Sequence, residues 1–556
     1  MTNLEIARLL RQIAAAYTIL GENRFKIIAY ENAATAIEHA TSEMQDLWEE
    51  QKLDTIPGLG TSITAHLDEI FKTGHSKHFD EILKKINPKI FPLLEVPGIG
   101  PKKALEIVKT GKIPKYLEAN IKRYKKGNVK EKRIDLPTAD KIANEIIKYL
   151  RDMGDLGDME INKLGSLRRQ VSTIGDIDIS IATNNPEKII NQFVKYPGKI
   201  IERGPTGASI LLSSGTQVDL RVSKPEEYGA MLQYFTGSKY HNIKLREFAQ
   251  KKGYSVSEYG IKSLKSLKVQ KFKTEKDFYE FLGLDYIPPE LREAAGEIEA
   301  ALEHRLPKLV ELSDIKGDLH MHASFAQGTS HDSGENTIGE MREIGEMRGY
   351  EYIAITDHNP SLSGHNSDQI ISEMQRRKKY FDDMGTKSVR VINMLEVDIL
   401  PNGDLSVPNE GLEYLDGCLV SIHSSFNMNK EEMTKRVLSG LSNPVARIFA
   451  HPTGRLLGKR DGYDLDWDQI FKVCLEHNKA LEINCSPNRL DLPDTLVREA
   501  IKHGVKITIG TDAHIKDDLG LMKYGVSVAR RGWAQKQDIL NTLSFDEIIK
   551  WIKLRT

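Results

Sequence analysis

The apolar positions of the chain follow three rhythms. From residue 4 to residue 85 they recur every three or four places, as in Leu9, Ile13, Ala16 and Leu20 and again in Ile27, Tyr30, Ala34 and Ile37, which predicts a small helical domain. Between residues 158 and 222 alternation takes over: 159–164 and 175–182 read as strands, 186–194 as a helix, and 210–212 with 217–222 as a hairpin of one antiparallel sheet. A helix over 138–151, capped by Thr138, leads into that sheet, and a mixed helical stretch, 226–284, follows it. After Ser313 short apolar runs at 315–322, 352–358, 391–395, 418–422, 447–450, 480–484 and 506–511 alternate with helical stretches at 339–347, 370–380, 430–438, 467–476 and 493–503. Such alternation predicts a (β/α) barrel, whose chemistry gathers at the C-terminal strand ends.

These rhythms describe a multidomain α+β protein: helical domains at 1–85 and 86–150, a mixed core at 151–222, a further domain at 223–287, a linker with a polar helix at 288–312, and the barrel at 313–556. A net charge of -1 over 556 residues puts no weight on nucleic acid globally, so any such footprint must be local. Three cysteines, Cys418, Cys474 and Cys485, give neither a disulfide framework nor a Cys-x-x-Cys zinc signature, which suits a reducing cytoplasm. No apolar run approaches the roughly 20 residues a membrane span needs, and the first residues lack the basic start of an export signal, so no membrane partner is expected.

Within the helical region Ile56-Pro57-Gly58-Leu59-Gly60-Thr61 is followed by a near copy, Val96-Pro97-Gly98-Ile99-Gly100-Pro101. Gly58, Gly60, Gly98 and Gly100 let the backbone approach a ligand closely, and the free N–H groups of the next helix start favour an anion. A single copy has an alternative reading as an ordinary helix–turn–helix connection. Two copies resemble helix-hairpin-helix modules, which imply contact with DNA phosphates without reading of sequence. Charge agrees: residues 84–133 hold four acids against fifteen basic residues, among them Lys102 and Lys103 beside the second motif.

The mixed core carries Ile174-Gly175-Asp176-Ile177-Asp178-Ile179, and Asp219 arrives on the run 217–222. Residues two apart in a strand point the same way, so Asp176 and Asp178 converge. Alone, such a pair is as easily a solvated strand edge. Neighbouring buried carboxylates repel, and a divalent cation with a preference for oxygen, typically magnesium, relieves them; three facing one cleft suit two-metal phosphoryl chemistry. Upstream, Gly165-Ser166-Leu167-Arg168-Arg169 would present backbone N–H groups, a hydroxyl and arginines to a triphosphate.

Gly-Ser followed by Asp-x-Asp resembles the nucleotidyltransferase core, and with Tyr234-Phe235-Thr236-Gly237-Ser238, Asn242 and Arg246 after the third aspartate, residues 1–284 resemble family X DNA polymerases. The resemblance implies a palm and a thumb. Asp176, Asp178 and Asp219 would hold Mg2+ or Mn2+, and Gly165, Ser166 and Arg169 would meet the triphosphate. Tyr234, Phe235 and Gly237 would wall the sugar, Asn242 would meet the base edge and Arg246 the template side. Gln170 stands where the family usually has glycine, and His66 stands where the imine-forming lysine of the vertebrate lyase domain would fall, with Ser62 in place of a second lysine.

The barrel runs end in His320, His322, His358, Glu396, His423, His451, Cys485, Asp512 and His514. Histidine with carboxylate and no cysteine cluster suits zinc, manganese or iron in an open hydrolytic site. The set His-x-His, Thr-Asp-His, Glu396, His-Pro and Asp-Ala-His resembles the PHP (polymerase and histidinol phosphatase) family, which implies about three ions, Zn2+ or Mn2+, and phosphoester hydrolysis. Asp332, in a loop longer than the family's, is the further ligand implied. The function expected is a monomeric repair DNA polymerase that fills gapped or primer-template DNA with dNTPs, joined to a 3′-5′ exonuclease or phosphoesterase, with abasic-end cleavage as an extension of that site. A DNA-end scaffold with a structural barrel, and a nucleotidyltransferase with another acceptor, are the alternatives.

Overall fold

The computed structural model describes residues 1, 3–38, 44–49, 51, 53, 59–94, 99–111, 133–153, 159–385 and 387–554, in two compact units, Met1–Glu131 and Lys132–Thr556. In the first unit the helices Asn3–Leu20, Arg24–Glu38, Thr61–Thr73 and Pro101–Thr110 bury Leu10, Ile13, Tyr17, Ala34, Ile37, Leu67 and Ala104, the period-3.6 positions of the sequence. Gly60 and Gly100 are the extended N-caps of the helices that follow them, as the hairpin motifs require. Gly58 and Gly98 lie outside the described residues, as does most of the basic run.

The second unit opens on the short strand β1 (Ile134–Asp135), paired antiparallel with β3 (Thr173–Ile174), and then the helix Leu136–Met153, which starts two residues earlier than expected. Asp135, not Thr138, supplies the cap: its carboxylate accepts from the Thr138 backbone N–H and hydroxyl, both at 2.9 Å. The palm sheet holds β2 (Ile161–Lys163), β4 (Asp176–Ala182), β5 (Lys199–Arg203), β6 (Gly207–Leu211) and β7 (Gln217–Ser223) in the order β2-β4-β7-β6-β5. It is mixed rather than antiparallel, because β4 and β7 run parallel. The helix Pro186–Phe193 crosses over after β4, β5 takes the far edge, and the chain meanders back through β6, so β7 arrives beside β4 in the same direction. Ile177, Ile179 and Ile181 of β4 point into a core shared with Ile146, Ile190, Phe193 and Val218, which leaves the aspartates on the other face.

The thumb follows, with helices Tyr228–Thr236, Lys239–Lys251 and Glu275–Phe281 around an antiparallel sheet of β8 (Tyr254–Ser257), β9 (Gly260–Ser263) and β10 (Val269–Gln270). The stretch 288–312 is not an exposed polar linker. Leu291, Ile298, Ala301 and Leu309 enter the thumb core, and Arg292 and Glu297 are fully buried. Charge in the sequence suggested solvent, but these charges are paired inside: Arg292 Nη1 donates to Glu275 Oε1 at 2.7 Å, and Arg168 reaches the same carboxylate at 2.9 and 2.5 Å.

The C-terminal strands are all parallel and fall in two sheets: β11 (Gly317–Met321), β12 (Tyr352–Ile355) and β13 (Arg390–Asn393) form one, and β14 (Glu396–Asp398), β15 (Cys418–Ser421), β16 (Ala446–Phe449), β17 (Ala480–Asn484) and β18 (Lys506–Gly510) the other. A closed ladder, expected of a barrel, is not continuous among the described residues. Single bridges, His358 to Glu396 and Met321 to Ala513, span the sheet edges where candidate ligands interrupt regular pairing. No helix among the described residues is long and apolar enough to cross a membrane.

Removing Glu275 leaves Arg292 charged and fully buried without its carboxylate. Glu275→Ala should therefore destabilise the second unit by about 3–5 kcal/mol, read as an earlier transition in urea. A shift under about 1 kcal/mol would mean that the buried arginines find other partners.

Candidate functional site

The parallel register sets Asp178 directly beside Asp219, with Asp176 two residues back on β4. Carboxylate oxygens of all three lie within 4.8 Å of one another. Gln217 Nε2 donates to both Asp219 oxygens at 3.0 Å. Burial, followed by the charges of Asp176 and Asp219, pushes the Asp178 carboxyl well above its ordinary range; burial pushes Asp219 up to about 6. Such a trio fits a divalent cation with oxygen ligands, because that cation removes the repulsion the fold imposes.

Gly165 starts the turn Gly165–Arg168 with φ +55°, and a Cβ there would collide with the Asp178 carboxylate, so only glycine brings this backbone so close to the acids. Arg169 donates from Nε to Glu293 at 3.0 Å and from Nη1 to the Thr236 carbonyl at 2.5 Å, and its charge acts on Asp178. Arg168 turns away to Glu275 and Thr236. The Tyr234 and Phe235 rings meet edge to face at 5.0 Å, with Arg246 over the first at 5.4 Å and Arg221 over the second at 4.5 Å. Asn242 faces inward here: Nδ2 donates to the Tyr234 carbonyl at 2.7 Å and Oδ1 accepts from Gln233 at 2.9 Å, so its amide orders the Tyr234 segment. In the first unit His66 stacks on His78 at 4.9 Å, and Lys102 and Lys103 open the helix after Gly100.

The second constellation forms at the C-terminal ends of β11 to β18. Glu396 lies at its centre: His451 Nε2 is 2.8 Å from one oxygen, and His358 Nδ1 and His320 Nε2 are 3.1 and 3.3 Å from the other. His423 Nε2 is 3.4 Å from Glu396, and His322 Nε2 is 3.1 Å from Asp512. Asp332 joins them, 3.6 Å from His358 and 3.4 Å from His514. His331, Asp332, His358, Glu396, His423, His451, Asp512 and His514 line one cavity of about 310 Å3. Cys485 does not take part; its thiol is buried behind Gly525.

Metal chemistry fits these donors. Nδ1 of His322 is buried without a hydrogen-bond partner, His358 Nδ1 and His514 Nε2 face only carboxylates, Glu396 at 3.1 Å and Asp332 at 3.4 Å, and these three side chains offer atoms within 4.8 Å of one another. The Nε2 atoms of His320 and His322 face each other at 3.2 Å. Burial drives His322 down to about 4, while for His320 the carboxylates of Glu482, Asp512 and Glu396 outweigh burial and raise it well above its ordinary value. His451 and Asp512 hold left-handed backbones, φ +31° and +55°, strain of the kind that gathers at functional positions.

Two carboxylates absent from the expected set orient the ligands. Glu482 accepts from His320 Nδ1 at 2.6 Å and from the His451 backbone N–H at 2.7 Å; Asp398 lies 2.6 Å from His423 Nδ1 and 3.2 Å from His331 Nε2. Each turns the other ring nitrogen toward the cavity. The sequence carries a signal for Glu482: a charge in the middle of the buried run Ala480–Asn484.

A protein of Bacillus subtilis named DNA polymerase/3′-5′ exonuclease PolX is 34% identical over 584 aligned residues that span the whole of both chains. The chain belongs to the family X DNA polymerases. A family model described as DNA polymerase beta thumb matches residues 231–293, and one described as helix-hairpin-helix domain matches residues 1–76. Proteins named probable phosphatase cover the C-terminal part: one from Acetivibrio thermocellus is 28% identical over 254 residues, 43% of this chain and 96% of the relative, and one from Clostridium acetobutylicum is 28% identical over 213 residues, 36% and 80%. Family X polymerases and such phosphoesterases are metal-dependent, in keeping with both clusters.

Because Asp178 and Asp219 have raised folded-state values, their ionisation opposes folding. That cost is absent below the unfolded value of about 3.9, grows as pH rises from there, and is complete above about 6. Metal-free Asp219→Asn should therefore melt higher than the parent at pH 7.5, by about 2–4 °C, with the gap closing at pH 4.5. Mg2+ should raise the melting temperature of the parent but not of Asp219→Asn; a variant that melts lower at pH 7.5 would mean the carboxylates do not repel.

Proposed function

We propose that the chain fills gaps in DNA from dNTPs and trims 3′ ends at its second site. The observation that carries this is the Asp178–Asp219 register beside the Gly165 turn, in a chain alignable along its whole length with a polymerase/exonuclease. Asp176, Asp178 and Asp219 hold Mg2+ or Mn2+, and Ser166 and Arg169 receive the triphosphate. Tyr234, Phe235 and Gly237 bound the sugar, Arg246 lies on the template side, and Asn242 meets the base edge once released from Tyr234. The bound cation supplies acidity to the attacking hydroxyl and charge neutralisation to the phosphate.

In the C-terminal module His320, His322, Asp332, His358, Glu396, His423, His451, Asp512 and His514 are the ligand set for about three ions, with Zn2+ or Mn2+ matching nitrogen and oxygen donors. Glu482 and Asp398 keep His320 and His423 aimed at them. The substrate is a phosphodiester at a DNA 3′ end, and cleavage at abasic ends extends the same chemistry. Gly58, Gly60, Gly98, Gly100, Lys102 and Lys103 hold DNA phosphates in the first unit. No imine step is assigned to His66, whose ring nitrogens cannot form one in the lysine manner. A monomer acting in the cytoplasm suits this work.

Separating the two activities tests the reading. On gapped DNA with dNTPs and Mg2+, Asp178→Ala should lose at least about 1,000-fold in extension and keep exonuclease. Asp512→Ala should lose exonuclease in Mn2+, keep extension, and accumulate longer products at low dNTP. Parental extension by Asp178→Ala, or parental digestion by Asp512→Ala, would refute the corresponding site.

A further inference from the structure

The helix Met522–Arg531 follows the strand end that carries Asp512 and His514. Met522, Val526, Val528 and Ala529 are buried in the C-terminal module. Lys523, Tyr524, Ser527, Arg530 and Arg531 are spaced as one stripe of a helix, and each meets the palm or thumb. Lys523 and Tyr524 donate to Asp140 at 3.1 and 2.9 Å, Ser527 to Gln170 Oε1 at 3.0 Å, and Arg530 to Glu290 at 2.8 Å. Arg531 Nη1 donates to the Arg169 carbonyl at 2.8 Å and to Glu293 Oε1 at 3.0 Å, while its Nη2 is 2.7 Å from Asp494.

Glu293 Oε1 is the same oxygen that accepts from Arg169 Nε. Arg169 and Arg531 therefore share one carboxylate, and Arg531 also fixes the backbone of the turn that begins at Gly165. The next residue, Gln170, has φ +57°, a left-handed backbone that a side chain resists; Ser527 holds its amide oxygen, and its Nε2 donates to the Leu167 carbonyl at 2.9 Å.

We propose that Arg531, supplied by the nuclease module, is a positioning residue for polymerisation: it presents Arg169 to the incoming triphosphate. This rests on the reading of Arg169 as a triphosphate contact. Without Arg531, Glu293 faces Arg169 alone and pairs with it more strongly, and the turn loses its carbonyl anchor. Both changes draw the guanidinium from the triphosphate. The loss falls on ground-state binding of dNTP rather than on the chemical step.

Gap filling by the full-length chain at varied dNTP tests this. Arg531→Ala should raise KM about five- to tenfold and change kcat by less than about twofold, with exonuclease at the parental rate. Arg531→Lys should fall between, because one ammonium cannot span Arg169, Glu293 and Asp494. The double variant Arg169→Ala/Arg531→Ala should be no worse than Arg169→Ala, whereas a merely structural Arg531 would add its own loss. Parental KM in Arg169→Ala would overturn the triphosphate reading. Raised KM in Arg169→Ala with parental KM in Arg531→Ala would overturn the positioning role alone. Should Arg531→Ala lose exonuclease as well, Arg531→Lys decides: a raised KM with intact exonuclease supports the role, and a parental KM rejects it.

Discussion

Asp178 and Asp219 sit side by side because β4 and β7 run parallel in register, and their mutual repulsion is the constraint from which the rest of the palm follows. Ile177 and Ile179, which flank Asp178, point into a closed core with Val218 and Leu220, which flank Asp219, so the carboxylates cannot separate without unpairing the sheet. Gly165 lies against the Asp178 carboxylate with a left-handed backbone, which fixes the approach of the turn Gly165–Arg168 to the same acids. The unfavourable charge is thus built into an unyielding frame, and only a cation or a proton relieves it.

A related constraint governs the histidine cluster. Glu396 is encircled by His320, His358, His423 and His451; burial would raise its carboxyl, but the charges of His358, His423 and His320 hold it well below the ordinary range. Glu482 and Asp398 stand behind two of those rings and settle which nitrogen faces inward. A set of donors oriented from behind, with ring nitrogens left without partners, has the organisation of a ligand sphere rather than of a packed core.

Legibility in the sequence followed periodicity. The helix Trp467–Glu476 stands at its expected bounds because its apolar rhythm is also its burial. The parallel pairing of β4 and β7 was hidden, since alternation encodes faces and not strand direction. β5 was hidden as an edge strand: none of Lys199, Ile200, Ile201, Glu202 or Arg203 is fully buried, so its composition resembles a loop. The segment 288–312 looked like a linker because composition counts charges and cannot count their partners; Arg292 and Glu297 carry full charges with no exposure. The candidate ligands announced themselves by ending apolar runs, whereas Glu482, which orients His320, lies inside such a run.

The same limit explains why the association of the two modules was not legible. The stripe Lys523, Tyr524, Ser527, Arg530 and Arg531 reads as the solvated face of an amphipathic helix. Its partners, Asp140, Gln170, Glu290 and Glu293, are scattered over about 150 residues and become one surface only when palm and thumb are folded. These side-chain contacts are polar and lie beside an apolar core that continues from the palm into the C-terminal module. Hydrogen bonds demand distance and direction where apolar contacts tolerate slippage, so a polar junction fixes the angle of approach. That property matters where the junction ends on the backbone of Arg169, the residue proposed to receive the triphosphate, since small displacements of a group in such a role are costly.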